Sequence, residues 1–237
     1  MANLTSISGG DAAIEHATWT KAGPVVSRMP EDEIVGLEEH AMATIGDSTT
    51  LGLWAFATGT WILGAVIGGS YPYASIDGTI PVLLIFAGIA QFVAGLYAFR
   101  RTNSLAATAF CCFGSLNVTL AMLFLLESSH VIAATASTLV FQGFLLESFF
   151  FIAAALCLAA LRTNMALVAV LATLAIGFAC AGVPDLTNSI GRAGWGTIGS
   201  IGGYFLMASA FFAYYSGMAM IVNSAWNQEF LPLFGRP

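Results

Sequence analysis

The chain has 237 residues, of which 58% are hydrophobic and only 8% are charged; its formal net charge is -6 and its mean hydropathy is +0.84. Soluble domains normally carry charge on about a quarter of their residues, and a soluble core of this chain length cannot bury so much apolar surface. The composition therefore excludes a soluble globular protein and predicts an integral membrane protein.

Residues 1–46 form an acidic tail, because most of the acidic side chains precede the first apolar stretch. We expect flexible chain up to about Arg28. From Pro30 onwards, acids in a first turn and apolar residues on one face predict a short amphipathic helix. The start shows no basic stretch followed by a short apolar segment and a cleavage site, so we expect the mature chain to begin at Met1.

Six apolar stretches follow, each long enough for a helix that spans a bilayer. They fall near residues 51–69, 79–99, 105–126, 134–161, 165–183 and 197–222. Helices are favoured over a β-barrel because the stretches lack the roughly ten-residue alternation of barrel strands. The prediction is an all-α transport domain of six transmembrane helices over residues 47–225, followed by a C-terminal tail at 226–237.

The tripeptide Arg-Thr-Asn occurs twice between apolar stretches, at residues 101–103 and 162–164. The plain interpretation is positive anchoring at the membrane surface. Arg100 and Arg236 lie on the same predicted side as both tripeptides, whereas Arg192 lies alone on the other side. The positive-inside rule therefore predicts that both termini are cytoplasmic.

The tripeptides also suggest a repeat, since each joins an even span to an odd span. Such spacing indicates three two-helix hairpins of one orientation around a central path. The same offset pairs Phe113 with Leu174, and Phe56 has a comparable depth on the first span. These three side chains form a ring across the path, or they are ordinary packing or lipid-facing residues. Thr60 and Asn117 follow four residues later on the same helix faces, so polar groups adjoin the ring.

A family resemblance makes this interpretation more specific. The stretch GIAQFVAGLYAFRRTNSLAATAFCCFGS at 88–115 resembles the signature region of the acetate uptake transporter family, the YaaH-like succinate–acetate permeases. LGLWAFATGT at 51–60 is similar to the second half of the family motif Asn-Pro-Ala-Pro-Leu-Gly-Leu and the start of its first helix. The resemblance covers about residues 48–225.

The resemblance implies six helices per protomer, a homo-hexamer in the plasma membrane and proton-coupled uptake of short monocarboxylates, with succinate in some members. The family's narrow point is a ring of aromatic and aliphatic side chains, which falls here on Phe56, Phe113 and Leu174. The shared motif implies substrate contact at Leu51 and Gly52.

The sequence departs from the family pattern at three places. Asp47-Ser48-Thr49-Thr50 stands where relatives have Asn-Pro-Ala-Pro, the ring Tyr is Phe113, and the Trp one turn deeper is Asn117. Asp, Ser and Thr still cap a helix N-terminus. An Asp there, however, puts negative charge where the helix end would otherwise attract a carboxylate. These changes leave room for a substrate preference that differs from acetate.

The predicted spans contain no Lys or Arg. A carboxylate crossing the ring would lack a fixed countercharge and would face a large desolvation cost, so the undissociated acid is the easier passenger. We expect Gln91, Thr60 and Asn117 to hydrogen-bond a small acid next to the ring, with protons moving alongside it.

Glu147 is the single acid well inside a predicted span. An acid at this depth costs about 2.5–3.5 kcal/mol on insertion scales. It is interpreted either as a neutral Glu packed between helices or at a subunit contact, or as a proton-handling residue.

Other functional classes have no support in the sequence. The four Cys lie inside spans without metal-binding spacing, and no nucleophile motif or phosphate-binding loop occurs. We therefore expect no enzyme, metal, cofactor or nucleic-acid partner. Two rival functions stay open: a channel for a small neutral solute such as urea, ammonia or a small amide, and a non-transporting membrane sensor or scaffold whose output is the acidic tail.

Overall fold

The computed structural model describes residues 15–20, 23–28, 46–72, 75–133, 135–186 and 196–235. The chain divides into two compact units, Met1–Gly46 and Asp47–Pro237, which are described separately.

The first unit contains an antiparallel pair of strands, β1 (Glu15–Thr20) and β2 (Gly23–Arg28). The sequence predicts flexible chain here, and the two strands differ from that expectation. Their sequences, EHATWT and GPVVSR, contain the Thr, Trp and Val that favour extended backbone. The amphipathic helix predicted from Pro30 lies outside the described residues.

The second unit contains six long helices. They are α1 (Thr49–Ile67), α2 (Ile76–Arg100), α3 (Ser104–Ser128), α4 (Ala136–Ala160), α5 (Met165–Leu186) and α6 (Gly196–Trp226). Each contains a segment long and apolar enough to span a membrane. The six predicted spans are confirmed, with ends within about one helix turn of the predicted bounds.

The six helices form a ring in chain order. Each helix packs against the next one along the chain, and α6 returns to pack along α1. The contact between α3 and α4 is the least extensive of the six neighbouring contacts. The ring surrounds a core of Phe, Leu and Ala side chains.

Both Arg-Thr-Asn tripeptides start the helix that follows them. The Oδ1 atom of Asn103 accepts a hydrogen bond from the backbone N–H of Ala106 at 3.2 Å, and Asn164 does the same for Leu167 at 2.8 Å. Each Asn thereby satisfies a backbone donor that a helix start leaves unpaired. Beyond anchoring, the tripeptide starts α3 and α5 in the same way.

Three glycines let α1 and α6 approach closely. A Cβ atom built on Gly203 would lie 2.6 Å from the carbonyl oxygen of Gly64 and 2.6 Å from the Cα of Gly68. In a membrane, helices associate through such close packing because no hydrophobic driving force acts between them. This crossing closes the ring between its first and last helices.

Helix α2 has two kinds of winding. Ile76–Pro81 and Gln91–Arg100 are α-helical, whereas Val82–Ala90 is a π-helix. A π-turn bonds residue i to i+5, is rare, and often lies at a functional site. One π-helical carbonyl, that of Ala87, accepts a hydrogen bond from Asn117 Nδ2 of α3 at 3.0 Å.

The C-terminal segment, residues 227–235, folds back against the helices. The Oδ1 atom of Asn223 accepts hydrogen bonds from the backbone N–H groups of Phe230 and Leu231, and its Nδ2 donates to the Leu231 carbonyl. The carbonyl of Phe234 accepts from the first backbone N–H of α5. The predicted tail is therefore packed along this end of the bundle.

Candidate functional site

Three cavities lie among the six helices. The basal cavity has a volume of about 150 Å³, and the central and distal cavities have volumes of about 20 Å³ each. The central and distal cavities share the lining residues Leu63, Leu120, Phe178 and Leu206. A volume of about 20 Å³ holds roughly one water molecule, so of these three only the basal cavity has room for a larger solute. A more open pocket of about 390 Å³ lies apart from them, between α5, α6 and Phe234 of the C-terminal segment.

Starts of three helices line the basal cavity. Thr49, Asn103 and Asn164 contribute to its wall from α1, α3 and α5. Helix N-termini carry partial positive charge, which favours anions. At α1 this effect is opposed, because Asp47 Oδ1 accepts from the Thr49 N–H at 2.9 Å and places a carboxylate there. Of the residues predicted to cap this helix start, Asp47 thus binds a backbone N–H, whereas the N-cap residue Ser48 makes no capping bond with its side chain and donates instead to the Ala94 carbonyl at 2.8 Å.

The central cavity lies one helix turn further into the bundle. Phe110 lines the basal cavity, and Phe113, one turn later on α3, lines the central one together with Phe56, Thr60 and Asn117. Four of the sequence-predicted residues therefore meet at this cavity.

Four aromatic rings pack together at the central cavity, and we call them the Phe cluster: Phe56, Phe113, Phe149 and Phe178. Three of them, all but Phe149, line that cavity. The ring of Phe113 lies 5.8 Å from that of Phe56, 6.1 Å from that of Phe149 and 6.2 Å from that of Phe178, measured between ring centroids. Tilted aromatic pairs at these separations are favourable contacts. Phe113 is the centre of the cluster.

The third residue of the predicted ring, Leu174, does not line the central cavity as Phe56 and Phe113 do. It is 0% exposed and belongs to the same hydrophobic core, but it does not line any of the three cavities. Phe178, one turn later on the same face of α5, lines the central cavity and contacts Phe113. The structure thus brings Phe56 and Phe113 into contact and places Phe178 beside them.

Gln91 and Asn117 form a buried amide pair next to the central cavity. Asn117 Nδ2 donates to Gln91 Oε1 at 3.3 Å and to the Ala87 carbonyl at 3.0 Å. Gln91 is 0% exposed, and its Nε2 atom has no hydrogen-bond partner among the described residues. An unsatisfied buried donor costs about 1–3 kcal/mol and calls for an explanation such as a ligand.

The two motif residues of α1 lie outside this constellation. Leu51 is 44% exposed and does not line the three cavities. A Cβ on Gly52 would lie 2.5 Å from a ring carbon of Phe110, so this glycine permits close packing beneath a wall residue of the basal cavity. Successive residues of a helix point about 100° apart. Leu51 is therefore exposed while Gly52, the next residue of α1, faces the core.

Glu147 lies between α4 and α5, outside the lining of the three cavities. A Cβ on Gly182 of α5 would lie 2.9 Å from Glu147 Oε1. The absence of a side chain at Gly182 leaves space for the carboxyl group. The residue is therefore packed against the neighbouring helix, apart from the Phe cluster.

Two polar residues that the sequence analysis missed lie at the distal cavity. Gln142 is the only polar residue in its lining, and its Nε2 donates to Glu127 Oε1 at 2.7 Å. Gln142 is also the only Asn or Gln in the predicted span 134–161. A single amide side chain in an apolar span could have identified it as a candidate site residue. Glu127 follows the predicted span 105–126 by one residue, whereas in the structure it lies in the last turn of α3.

Two aromatic residues of the Phe cluster were also missed. Phe178 follows Leu174 by four residues, so the same-face rule could have found it. Phe149 lies in a run of three Phe residues at 149–151, where the sequence gives no sign of which ring faces inward.

Comparisons with known proteins give two findings. A family model described as the GPR1/FUN34/yaaH family matches residues 33–233. A solved structure described as the bacterial acetate channel SatP has a similar fold, with a TM-score of 0.71 and 23% sequence identity over 80% of this chain and 99% of that chain. A search of curated protein sequences found no match.

Proposed function

Because this chain belongs to the GPR1/FUN34/yaaH family, we propose that it moves a small monocarboxylic acid of the acetate type across a membrane. Its fold is shared with a bacterial acetate channel, which supports the proposal. The observation that carries the proposal is the buried amide pair of Gln91 and Asn117. Asn117 lines the central cavity together with Phe56, Phe113 and Phe178 of the Phe cluster.

The passenger is the undissociated acid. Among the described residues that line the three cavities, none is Lys, Arg, Asp or Glu. A bare carboxylate in such a path would lose its hydration without gaining a countercharge, which is costly. A neutral acid instead has a carbonyl oxygen that accepts from the unpaired Gln91 Nε2 and a hydroxyl that donates. Each molecule that crosses then carries its own proton, which is the simplest form of proton coupling.

The Phe cluster is the gate in this proposal. Of the constriction predicted from the sequence, Phe56 and Phe113 line the central cavity together with Phe178, whereas Leu174 packs in the core outside the lining of the three cavities. The central cavity has room for about one water molecule, whereas acetic acid has four heavy atoms. The rings therefore move aside when the acid passes, and Thr60 and Asn117 receive it on the central side.

Orientation and assembly complete the proposal. Both termini are cytoplasmic, because Arg100, Arg101 and Arg162 lie at one end of the bundle and the positive-inside rule favours that orientation. The transport domain is residues 47–225. The family resemblance further implies a hexamer in the plasma membrane and succinate as an additional substrate.

Uptake of labelled acetate by proteoliposomes tests the proposal. We expect uptake above that of protein-free liposomes, faster with an inward proton gradient than without one, and inhibited by unlabelled propionate but not by urea. Protein-free liposomes are the necessary control because acetic acid also crosses lipid. Uptake that ignores the proton gradient contradicts the coupling, and inhibition by urea favours the rival channel for neutral solutes.

The same assay tests Glu147. Because Glu147 packs against Gly182 and does not line the three cavities, the variant Glu147→Gln is expected to keep gradient-driven uptake within about twofold of wild type. Loss of the gradient effect in this variant alone would assign proton handling to Glu147.

A further inference from the structure

The seam between α3 and α4 is the least packed neighbouring contact of the helix ring. Two particular side-chain contacts across this seam involve residues of the proposed path. One is the ring contact of Phe113 with Phe149 within the Phe cluster. The other is the hydrogen bond from Gln142 Nε2 to Glu127 Oε1 at the distal cavity.

The hydrogen bond fixes one half of the Gln142 carboxamide. At 2.7 Å it is short, as expected when the acceptor is a carboxylate. Gln142 is 7% exposed, and its surroundings in the cavity wall are Leu, Ile, Phe and Ala. With one N–H bound to Glu127, the groups of the carboxamide that remain for a solute are its carbonyl oxygen, an acceptor, and its second N–H, a donor.

We propose that Gln142 selects the undissociated acid at the distal cavity and that Glu127 is the positioning residue that holds Gln142 in place. An undissociated acid has a hydroxyl that donates to the Gln142 carbonyl oxygen and a carbonyl that accepts from the second Nε2 N–H. A carboxylate offers only acceptors, so it pairs with that N–H alone and leaves the Gln142 carbonyl oxygen without a donor. This inference rests on the proposed function and adds a second polar contact to the path, beyond the amide pair of Gln91 and Asn117.

The surrounding charges fit a positioning role. Ser128, next to Glu127, donates to Asp77 Oδ1 of α2, so Asp77 has its own partner. Asp77 and His130 are the other charged or titratable side chains described near the end of α3, and both are exposed. Glu127 therefore faces the Gln142 amide as its partner across the seam.

Matched variants separate positioning from charge. Glu127→Gln removes the charge but keeps an oxygen that accepts from Gln142, whereas Glu127→Met and Gln142→Met remove the hydrogen bond with little change in volume. Glu229→Gln, at an exposed position of the C-terminal segment, is the control for loss of one acid. Each purified variant is checked by size-exclusion profile and Tm, and Gln142→Leu replaces Gln142→Met if the latter does not fold.

The measured quantities are the KM and maximal rate of labelled acetate uptake in proteoliposomes. We expect KM to rise about fivefold in Glu127→Met and Gln142→Met, the effect of one lost hydrogen bond, and to stay within about twofold of wild type in Glu127→Gln and Glu229→Gln. The maximal rate should change little, which a general loss of structure would not reproduce.

Three results would overturn the inference. If Glu127→Gln raises KM as much as Glu127→Met, the negative charge of Glu127 affects uptake and its hydrogen bond to Gln142 does not. If Gln142→Met leaves KM unchanged while wild type transports acetate, this inference fails and the proposed function stands. If wild type takes up no acetate, both fail together.

Discussion

Gln91 combines full burial with a donor that has no partner among the described residues. Such a group lowers stability, since desolvation of the N–H is not offset by a hydrogen bond. Its presence therefore calls for a functional reason. In the proposed path the acid supplies the missing acceptor. Replacement of this side chain is therefore expected to affect transport more than stability.

The variant Gln91→Met tests that expectation. The unpaired donor disappears, but so does the Oε1 atom that accepts from Asn117 Nδ2, and Asn117 keeps only its hydrogen bond to the Ala87 carbonyl. The two effects offset each other, so the free energy of unfolding should stay within about 1 kcal/mol of wild type. Acetate uptake should fall. Gln228→Met, at an exposed position, is the control, and a lower Tm with unchanged uptake in Gln91→Met would contradict the role given to Gln91.

Phe113 is the residue whose removal should most widen the constriction, because its ring contacts three other rings. Phe113→Ala should raise uptake of butyrate relative to acetate and lower the free energy of unfolding by about 3–5 kcal/mol. Phe144→Ala is the matched control, since Phe144 is 63% exposed. An unchanged ratio of butyrate to acetate uptake in Phe113→Ala would remove Phe113 from the gate.

Individual inward-facing residues were predictable only where a second pattern accompanied hydrophobicity. Phe113 and Phe56 were found through the repeat and the resemblance, and Asn117 through its polarity within an apolar span. Phe149 was not found, because the lipid-facing side of a membrane helix is as apolar as its buried side and the sequence does not distinguish the two faces. Glu127 was missed because a charged residue near a span end looks like the start of a loop.

At the level of elements, the contact between α1 and α6 depends on the lack of a side chain at Gly203. In Gly203→Ala the new Cβ would lie 2.6 Å from the Gly64 carbonyl oxygen and 2.6 Å from the Gly68 Cα. Both are backbone atoms, which cannot rotate away as a side chain can. We expect a loss of about 1–3 kcal/mol in the free energy of unfolding, measured as a lower Tm. Gly78→Ala should be neutral, since nothing lies within 4 Å of the Cβ position at Gly78; equal Tm values for the two variants would refute the close-packing argument.

Element positions followed from the sequence more fully than element details. Length and hydropathy were sufficient for the six spans, whereas the hydrogen bonds by which Asn103 and Asn164 start α3 and α5 are seen only in the structure. The fold-back of residues 227–235 was not predictable, because it depends on three hydrogen bonds to one side chain, Asn223. A single Asn near a helix end does not indicate which backbone it will bind.

For the whole molecule, the division at Gly46 predicts that the helical unit is stable without the first unit. A truncated protein of residues 47–237 keeps Asp47 as the cap of α1 and should retain the helical circular dichroism, the Tm and the acetate uptake of the full chain. Retained uptake would also disfavour the rival function of a sensor whose output is the acidic tail. A truncated protein that no longer folds would show that residues 1–46 belong to the stable core.

The nine π-helical residues of α2 also affect how the chain tolerates a change in length. In an α-helix, removing one residue rotates everything beyond it by about 100° and moves it 1.5 Å along the axis, which would turn Gln91 away from Asn117. Within Val82–Ala90 the surplus residue of a π-turn can be given up by local rewinding to α, so both flanks keep their register. Deletion of the exposed Ile85 should accordingly be tolerated, whereas the same deletion in α3 should not, because the chain can shorten within this stretch and keep Gln91 opposite Asn117.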